Sequence, residues 1–277
     1  MLLHLHVLMC VLFLMLSGAH AHAQNRVAAN AAEIAGCATE EGGASAVVEI
    51  VDSQTLRLAD GRFVRLVGLF VPLAFMGPYV FNAAEKSANL LRQVALGRKA
   101  MVRYGGRKQD RYGVHLAQVV LGDDGIWLQQ RLALEGFALY APQVDNKACA
   151  RELLAAEQEA RAQQKGLWQP ALFQVLSATD GAALRRGAGT FQVIEGRVAQ
   201  VSSTGSRTLL TFQGGKHAGF TLSVSPAAAK LFKSAGGALA ELSGATIRVR
   251  GWVALRRGPM IEVTQPEQVE RVSLPRR

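Results

Sequence analysis

The feature that most constrains the fold of this chain is the alternating pattern between residues 47 and 72. Apolar residues alternate there with polar ones at Val48, Ile50, Leu56 and Leu58. Successive side chains of a strand point to opposite faces of a sheet, so this period of two predicts half-buried strands. The stretch therefore favours a β-meander rather than a helix.

A predicted turn divides this meander. Asp60 and Gly61 form a hairpin signal, because glycine tolerates a positive φ without steric cost. Residues 63–69 then resume as a more apolar strand that carries Arg65. Pro72 lacks a backbone donor, so strand pairing is expected to end there.

The motifs in this stretch resemble those of the staphylococcal nuclease (thermonuclease) family. The first turn reads Asp-Ser-Gln-Thr at residues 52–55, and the second motif reads Arg-Leu-Val-Gly-Leu-Phe-Val-Pro-Leu at residues 65–73. The resemblance continues through Asp-Arg-Tyr-Gly at 110–113 and Gly-Leu-Trp at 166–168, and so covers about 47–170. It implies a small five-stranded barrel with three helices outside it.

The resemblance also implies that the catalytic equipment is missing. Four family positions carry other residues, with the two metal-binding Asp falling on Gln54 and Phe70, the general-base Glu on Leu73, and the second catalytic Arg on Val114. Arg65 alone keeps its family identity. No metal or other cofactor is expected, and calcium would bind only if a metal site had been relocated, for example around Asp52 or Asp110.

The order of predicted elements gives a mainly β fold with two domains. In the first domain, residues 47–170, three strands are followed by a helix at 82–96, strands at 99–104 and 114–121, and helices at 126–135 and 149–165. In the second, residues 190–272, strands are expected at 191–201, 208–212, 219–224, 246–253 and 260–263, with a helix at 226–234. The pattern around 247–263 resembles OB-fold nucleic-acid-binding domains.

The remaining segments are predicted to lie outside the domains. Residues 1–23 have the apolar run and small-residue sites of a secretory signal peptide, with cleavage near Ala21 or Ala23. An uncleaved anchor is the alternative. Residues 24–46 are interpreted as a flexible lead and 171–189 as a linker. The mature chain is expected to be secreted or periplasmic, without a transmembrane segment.

Cysteine usage agrees with export. Loss of Cys10 with the leader leaves Cys37 and Cys149, which predicts one disulfide, although two buried free thiols remain an alternative. A disulfide closing so long a loop would stabilise the fold by roughly 4–5 kcal/mol in the chain-entropy model.

Charge is concentrated in the last third of the chain. Residues 176–277 contain 14 Lys and Arg against 6 Asp and Glu, whereas residues 1–175 contain 17 against 15. Such a surplus indicates an anionic partner, although it is also typical of an ordinary basic surface. The predicted nucleic-acid-binding residues are Arg248, Arg250, Trp252, Arg256 and Arg257, with Trp252 either stacking on bases or serving the core.

Three hypotheses about function follow. The first is an exported, catalytically degenerate protein that binds nucleic acid or another polyanion. The second is an active calcium-dependent endonuclease with a relocated metal site. The third is an envelope protein-interaction module that docks a protein partner on the apolar run at residues 69–76.

Overall fold

Two β-barrels, one after the other along the chain, make up a mainly β fold. The structure is a computed structural model, and it describes residues 34, 36–72, 82–143, 145–170, 172–213 and 219–272. The predicted signal peptide (residues 1–23) and Leu73 lie outside the described residues. Within the described part of the chain, no helix has the length and apolar character needed to cross a membrane.

The first barrel has the predicted five strands. Its unit contains strands Glu40–Ile50 (β1), Thr55–Leu58 (β2), Phe63–Leu66 (β3), Leu69–Phe70 (β4), Lys99–Tyr104 (β5), His115–Leu121 (β6) and Leu139–Tyr140 (β7). The barrel closes in the order β1-β2-β3-β6-β5, while β4 and β7 pair separately beside it. This short side ribbon carries Phe70 and Tyr140, which both pack with the core of the first unit.

β1 starts earlier than expected and is irregular. Its pairing begins at Glu40, so the last part of the predicted flexible lead (24–46) belongs to the barrel. The register shifts between Glu41 and Ala44 and again between Val47 and Glu49, which breaks the period of two. Val47 is therefore buried and Val48 is 44% exposed, the reverse of the predicted alternation.

Three helices pack around the first barrel, as predicted. They span Ala83–Ala95 (α1), Leu128–Leu134 (α2) and Ala150–Ala162 (α3). The Asn82 side chain accepts a hydrogen bond from the Glu85 backbone N–H at 3.0 Å, confirming the predicted N-cap. The predicted Cys37–Cys149 disulfide is present, with a Cα–Cα distance of 4.8 Å, and it attaches the segment just before β1 to the N-cap residue of α3.

The second barrel is formed by five longer strands and two short additions. The strands are Leu176–Ser177 (β8), Phe191–Thr204 (β9), Arg207–Phe212 (β10), Thr221–Val224 (β11), Thr246–Leu255 (β12), Pro259–Val263 (β13) and Val269–Arg271 (β14). Pairing of β12 with β9 closes the ring β9-β10-β11-β13-β12. Helices span Gly181–Arg186 (α4) and Pro226–Ser234 (α5), the latter as predicted.

The segment predicted as a linker, 171–189, is partly ordered into the second barrel. β8 lies parallel to β9, and the Asp180 side chain caps α4 by accepting hydrogen bonds from the Ala182 and Ala183 N–H groups. The two units have separate apolar cores, except that Phe191, at the start of β9, packs with the core of the first unit. The barrels are therefore in contact rather than loosely tethered.

Candidate functional site

The turn at residues 52–55 uses its polar side chains to hold itself together. The Asp52 carboxylate accepts a hydrogen bond from the Gln54 backbone N–H at 2.7 Å. The Gln54 side-chain amide donates to the Leu69 carbonyl oxygen at 3.0 Å and so ties the turn to β4. Both side chains have a structural task at the place where the family resemblance expects a metal ligand.

Phe70 belongs to an aromatic cluster that joins the two barrels. Its ring lies 4.9 Å from that of Phe191, and 5.6 Å from that of Trp252 in an edge-on arrangement. The Phe191 and Trp252 rings are 6.2 Å apart. We call these three residues the aromatic junction. Such apolar surroundings disfavour a desolvated divalent cation, since no oxygen ligand replaces its water.

The other positions implied by the resemblance are equally poor in ligands. The half-buried Val114 donates its backbone N–H to the Asp110 carboxylate at 3.0 Å, so Asp110 too is occupied with its own turn. Arg65 is exposed on β3, and its side chain has no hydrogen bond or ion pair with any residue that the structure describes. Leu73 lies outside those residues. Across the described ranges, no group of three or more His, Cys, Asp or Glu could hold a metal ion.

Arg250, predicted to bind nucleic acid, is a buried residue. Its side chain on β12 is fully buried and forms two hydrogen bonds with the Glu157 carboxylate of α3, at 2.7 and 3.1 Å. It also donates to the Tyr140 carbonyl oxygen at 3.0 Å and pairs with Glu270. A guanidinium enclosed by two carboxylates between two domains cannot contact a nucleic acid, and so its role is structural.

Arg248 extends the same ion network towards its edge. Its guanidinium donates to Glu195 at 2.6 Å and lies 3.9 Å from Glu270, leaving the side chain 16% exposed. Glu270 in turn accepts a hydrogen bond from Gln158 of α3 at 3.1 Å. The predicted binding role of Arg248 is thus opposed by two carboxylates that already neutralise it. We call Glu157, Arg248, Arg250 and Glu270 the ionic lock.

The pKa directions agree with this network of paired charges. Burial tends to raise the pKa of the Glu270 carboxyl, but the charge and hydrogen bond of Arg250 outweigh it, so that pKa is lowered. Burial and then the positive charge of Arg248 lower the pKa of the nearby Arg161 guanidinium. The charges of the ionic lock are therefore stabilised by oppositely charged neighbours rather than by water.

The remaining predicted binding residues are at the surface. Trp252 is 57% exposed although its ring contacts Phe70 and Phe191. Arg256 and Arg257 are exposed in the turn between β12 and β13, and neither forms an ion pair with any described residue. These three residues remain candidates for contact with a ligand.

The second barrel presents further unneutralised cations. Two of its surface arginines pair with carboxylates, Arg207 with Glu262 at 2.5 Å and Arg271 with Glu241 at 3.5 Å. Five other exposed cations have no ion pair among the described residues, namely Arg185, Arg186, Arg197, Lys230 and Lys233. The surplus of Lys and Arg in the sequence includes these five residues, but it does not distinguish them from the buried arginines.

Comparison with known families agrees with the motifs. Residues 64–170 match the family model described as Staphylococcal nuclease homologue, which confirms the predicted resemblance for this part of the chain. A search of curated proteins finds no match to the chain.

Proposed function

We propose that this chain, whose residues 64–170 form a staphylococcal nuclease homologue domain, binds nucleic acid or another polyanion without hydrolysing it. The observation that carries the proposal is the aromatic junction. Phe70, aligned by the resemblance with a metal-binding Asp, packs against Phe191 and Trp252 instead of offering an oxygen ligand. A calcium-dependent phosphodiesterase needs hard oxygen ligands at such a position.

The charge of the second barrel supports the binding part of the proposal. Seven exposed cations in residues 176–272 are free of ion pairs within the described residues: Arg185, Arg186, Arg197, Lys230, Lys233, Arg256 and Arg257. Unpaired Lys and Arg side chains attract nucleic acids and other polyanions, because neutralising their phosphates releases condensed counterions. Arg65 on the first barrel is likewise without an ion pair among the residues that the structure describes.

The alternative of an active nuclease with a relocated metal site has less support. Asp52 and Asp110 are the carboxylates considered for it, and both accept backbone hydrogen bonds within their own turns, at 2.7 Å and 2.8 Å respectively. Losing one preorganised electrostatic contact typically slows such chemistry by about 100- to 1000-fold. Here two metal carboxylates, the base and one arginine are replaced together.

We also propose that the chain is exported. The Cys37–Cys149 disulfide supports this, because disulfides persist in oxidising compartments. Docking of an envelope protein on the apolar run at 69–76 remains the third hypothesis, and the second half of that run, residues 73–76, lies outside the described residues.

The test combines a cleavage assay with a binding assay on the same purified chain. Plasmid and single-stranded DNA should survive incubation with calcium, whereas both should be retained by the protein at low salt. Calcium-dependent cleavage that Asp52→Ala or Arg65→Ala abolishes would replace this proposal by the relocated nuclease. Absence of binding to DNA and to heparin at low salt would leave the envelope-docking hypothesis.

A further inference from the structure

One face of β12 changes character along its length. Alternation places Arg248, Arg250 and Trp252 on the same side of the strand, and this side faces the first barrel. The first two side chains are enclosed in the ionic lock, whereas Trp252 is 57% exposed. Trp252 therefore stands where the contact between the barrels ends and solvent begins.

The surroundings of Trp252 come from both barrels. Phe70 belongs to the side ribbon of the first unit, and Phe191 is the cross-strand partner of Trp252 on β9. Both rings contact Trp252 at steep angles, 75° for Phe70 and 78° for Phe191. These contacts restrict the indole ring while more than half of its residue surface stays accessible. A fixed aromatic surface loses little conformational freedom when a planar ligand stacks on it.

Two exposed cations follow this ring along the chain. Arg256 and Arg257 follow it by four and five residues, which is about 13–16 Å along an extended strand. The backbone after α4 runs beside the same part of β12, with the Gly189 N–H donating to the Val253 carbonyl oxygen at 2.8 Å. Arg185 and Arg186, the last residues of α4, precede Gly189 by four and three residues.

We infer that this edge is a composite binding site for single-stranded nucleic acid, formed by Trp252 and Phe70 with Arg256 and Arg257. The inference rests on the proposed polyanion binding and narrows its ligand. A base stacks on Trp252, and phosphates further along the same single strand lie against Arg256 and Arg257. Unstacked bases offer such a ring an aromatic face, whereas a duplex keeps its bases stacked and heparin has none.

The test uses the full disulfide-bonded chain with three probes: a fluorescent oligothymidylate, a DNA hairpin duplex of equal charge, and heparin. Trp252→Ala should weaken oligothymidylate binding about tenfold and leave heparin binding within about twofold, because stacking acts only on the bases. Trp252→Phe should recover most of the affinity. Phe70→Ala should weaken oligothymidylate binding in the same direction, since it removes one support of the Trp252 ring.

A matched control is Leu255→Ala, which removes an apolar side chain that is 55% exposed on the same strand. It should leave the binding of all three probes unchanged, and circular dichroism should show that every variant keeps the wild-type fold. If Trp252→Ala weakens all three probes equally, or none of them, the stacking site is refuted while polyanion binding stands. A wild-type chain that binds none of the probes refutes both proposals.

Discussion

The inner and outer halves of β12 contain the same kinds of residue and have opposite roles. In the inner half, Arg248 and Arg250 are neutralised by carboxylates, and Arg250 holds α3 of the first unit through Glu157. In the outer half, which we take together with the turn that follows it, Trp252, Arg256 and Arg257 are exposed. A guanidinium can bind either a carboxylate or a phosphate bidentately, so the residue type does not decide the role of an arginine on this strand. Its position decides, because only the inner half of β12 is covered by the first barrel.

The contrast teaches that a positive surplus overstates the charge available to a ligand. Four arginines of the second barrel are paired with carboxylates: Arg207, Arg248, Arg250 and Arg271. They contribute to the formal charge of +10 but little to attraction of a polyanion. Only the cations without a partner carboxylate are expected to influence the salt dependence of binding.

The largest expected effect is that of Arg250→Ala on stability. The variant leaves Glu157 and Glu270 without their shared cation, which typically lowers the free energy of unfolding by about 3–5 kcal/mol for a buried pair. Urea unfolding followed by circular dichroism measures this loss. Arg256→Ala is the control from the outer half and should change stability by less than about 0.5 kcal/mol. Equal effects of the two substitutions would remove the distinction between the halves.

A smaller effect, confined to binding, is expected for Arg256→Ala combined with Arg257→Ala. On single-stranded DNA, each neutralised phosphate contributes about 0.7 to the slope of log affinity against log salt, so the slope should fall by about 1.4. Titrations at several salt concentrations measure it. Arg57→Ala is a suitable comparison, because that guanidinium already pairs with Glu49 at 2.6 Å. An unchanged slope in the double variant would mean that the outer half does not bind phosphate.

The smallest effect is expected from pH, and it should involve the inner half. Because the Glu270 carboxyl has a lowered pKa in the folded chain, its contribution to stability is present above about pH 4.5 and is lost as pH falls through the folded-state pKa. Wild type should therefore be more stable than Glu270→Gln near neutral pH, and the gap should close below pH 4.5. Glu241→Gln, at an exposed ion pair, should show a smaller gap. A difference in stability between wild type and Glu270→Gln that widens at acidic pH would contradict the role of Glu270 in the ionic lock.

Much of the fold follows from local sequence signals. Asn82 and Pro226 begin helices where capping and proline preferences place them, and the barrel strands follow alternation in most places. The sequence does not predict the start of β1, because a register shift at Gly42 and Gly43 interrupts the alternation there. α4 was missed because a helix of six residues gives too short a period to recognise.

The site was only partly predictable, for a reason that concerns distance along the chain. Arg250 and Glu157 are 93 residues apart, and nothing local to either residue indicates the other. One signal was available, however. Arg248, Arg250 and Trp252 share one face of a strand, and a face combining large charged and aromatic residues is typical of an interface as well as of a binding surface. Whether such a face is an interface or a binding surface depends on the contacts that its residues make with the other domain.

Glu157 has a consequence for the order in which the molecule is assembled. This residue is synthesised long before Arg250. In the folded chain its carboxylate accepts a hydrogen bond from the Tyr140 N–H at 2.7 Å and lies 3.9 Å from the Arg161 guanidinium, while Arg250 supplies its bidentate partner. A first barrel without β12 lacks that partner. Arrival of β12 supplies the missing cation. The later half of the polypeptide therefore acts as the intramolecular counterion that completes maturation of the earlier half, and chains truncated between the two barrels should be preferred substrates for proteolysis.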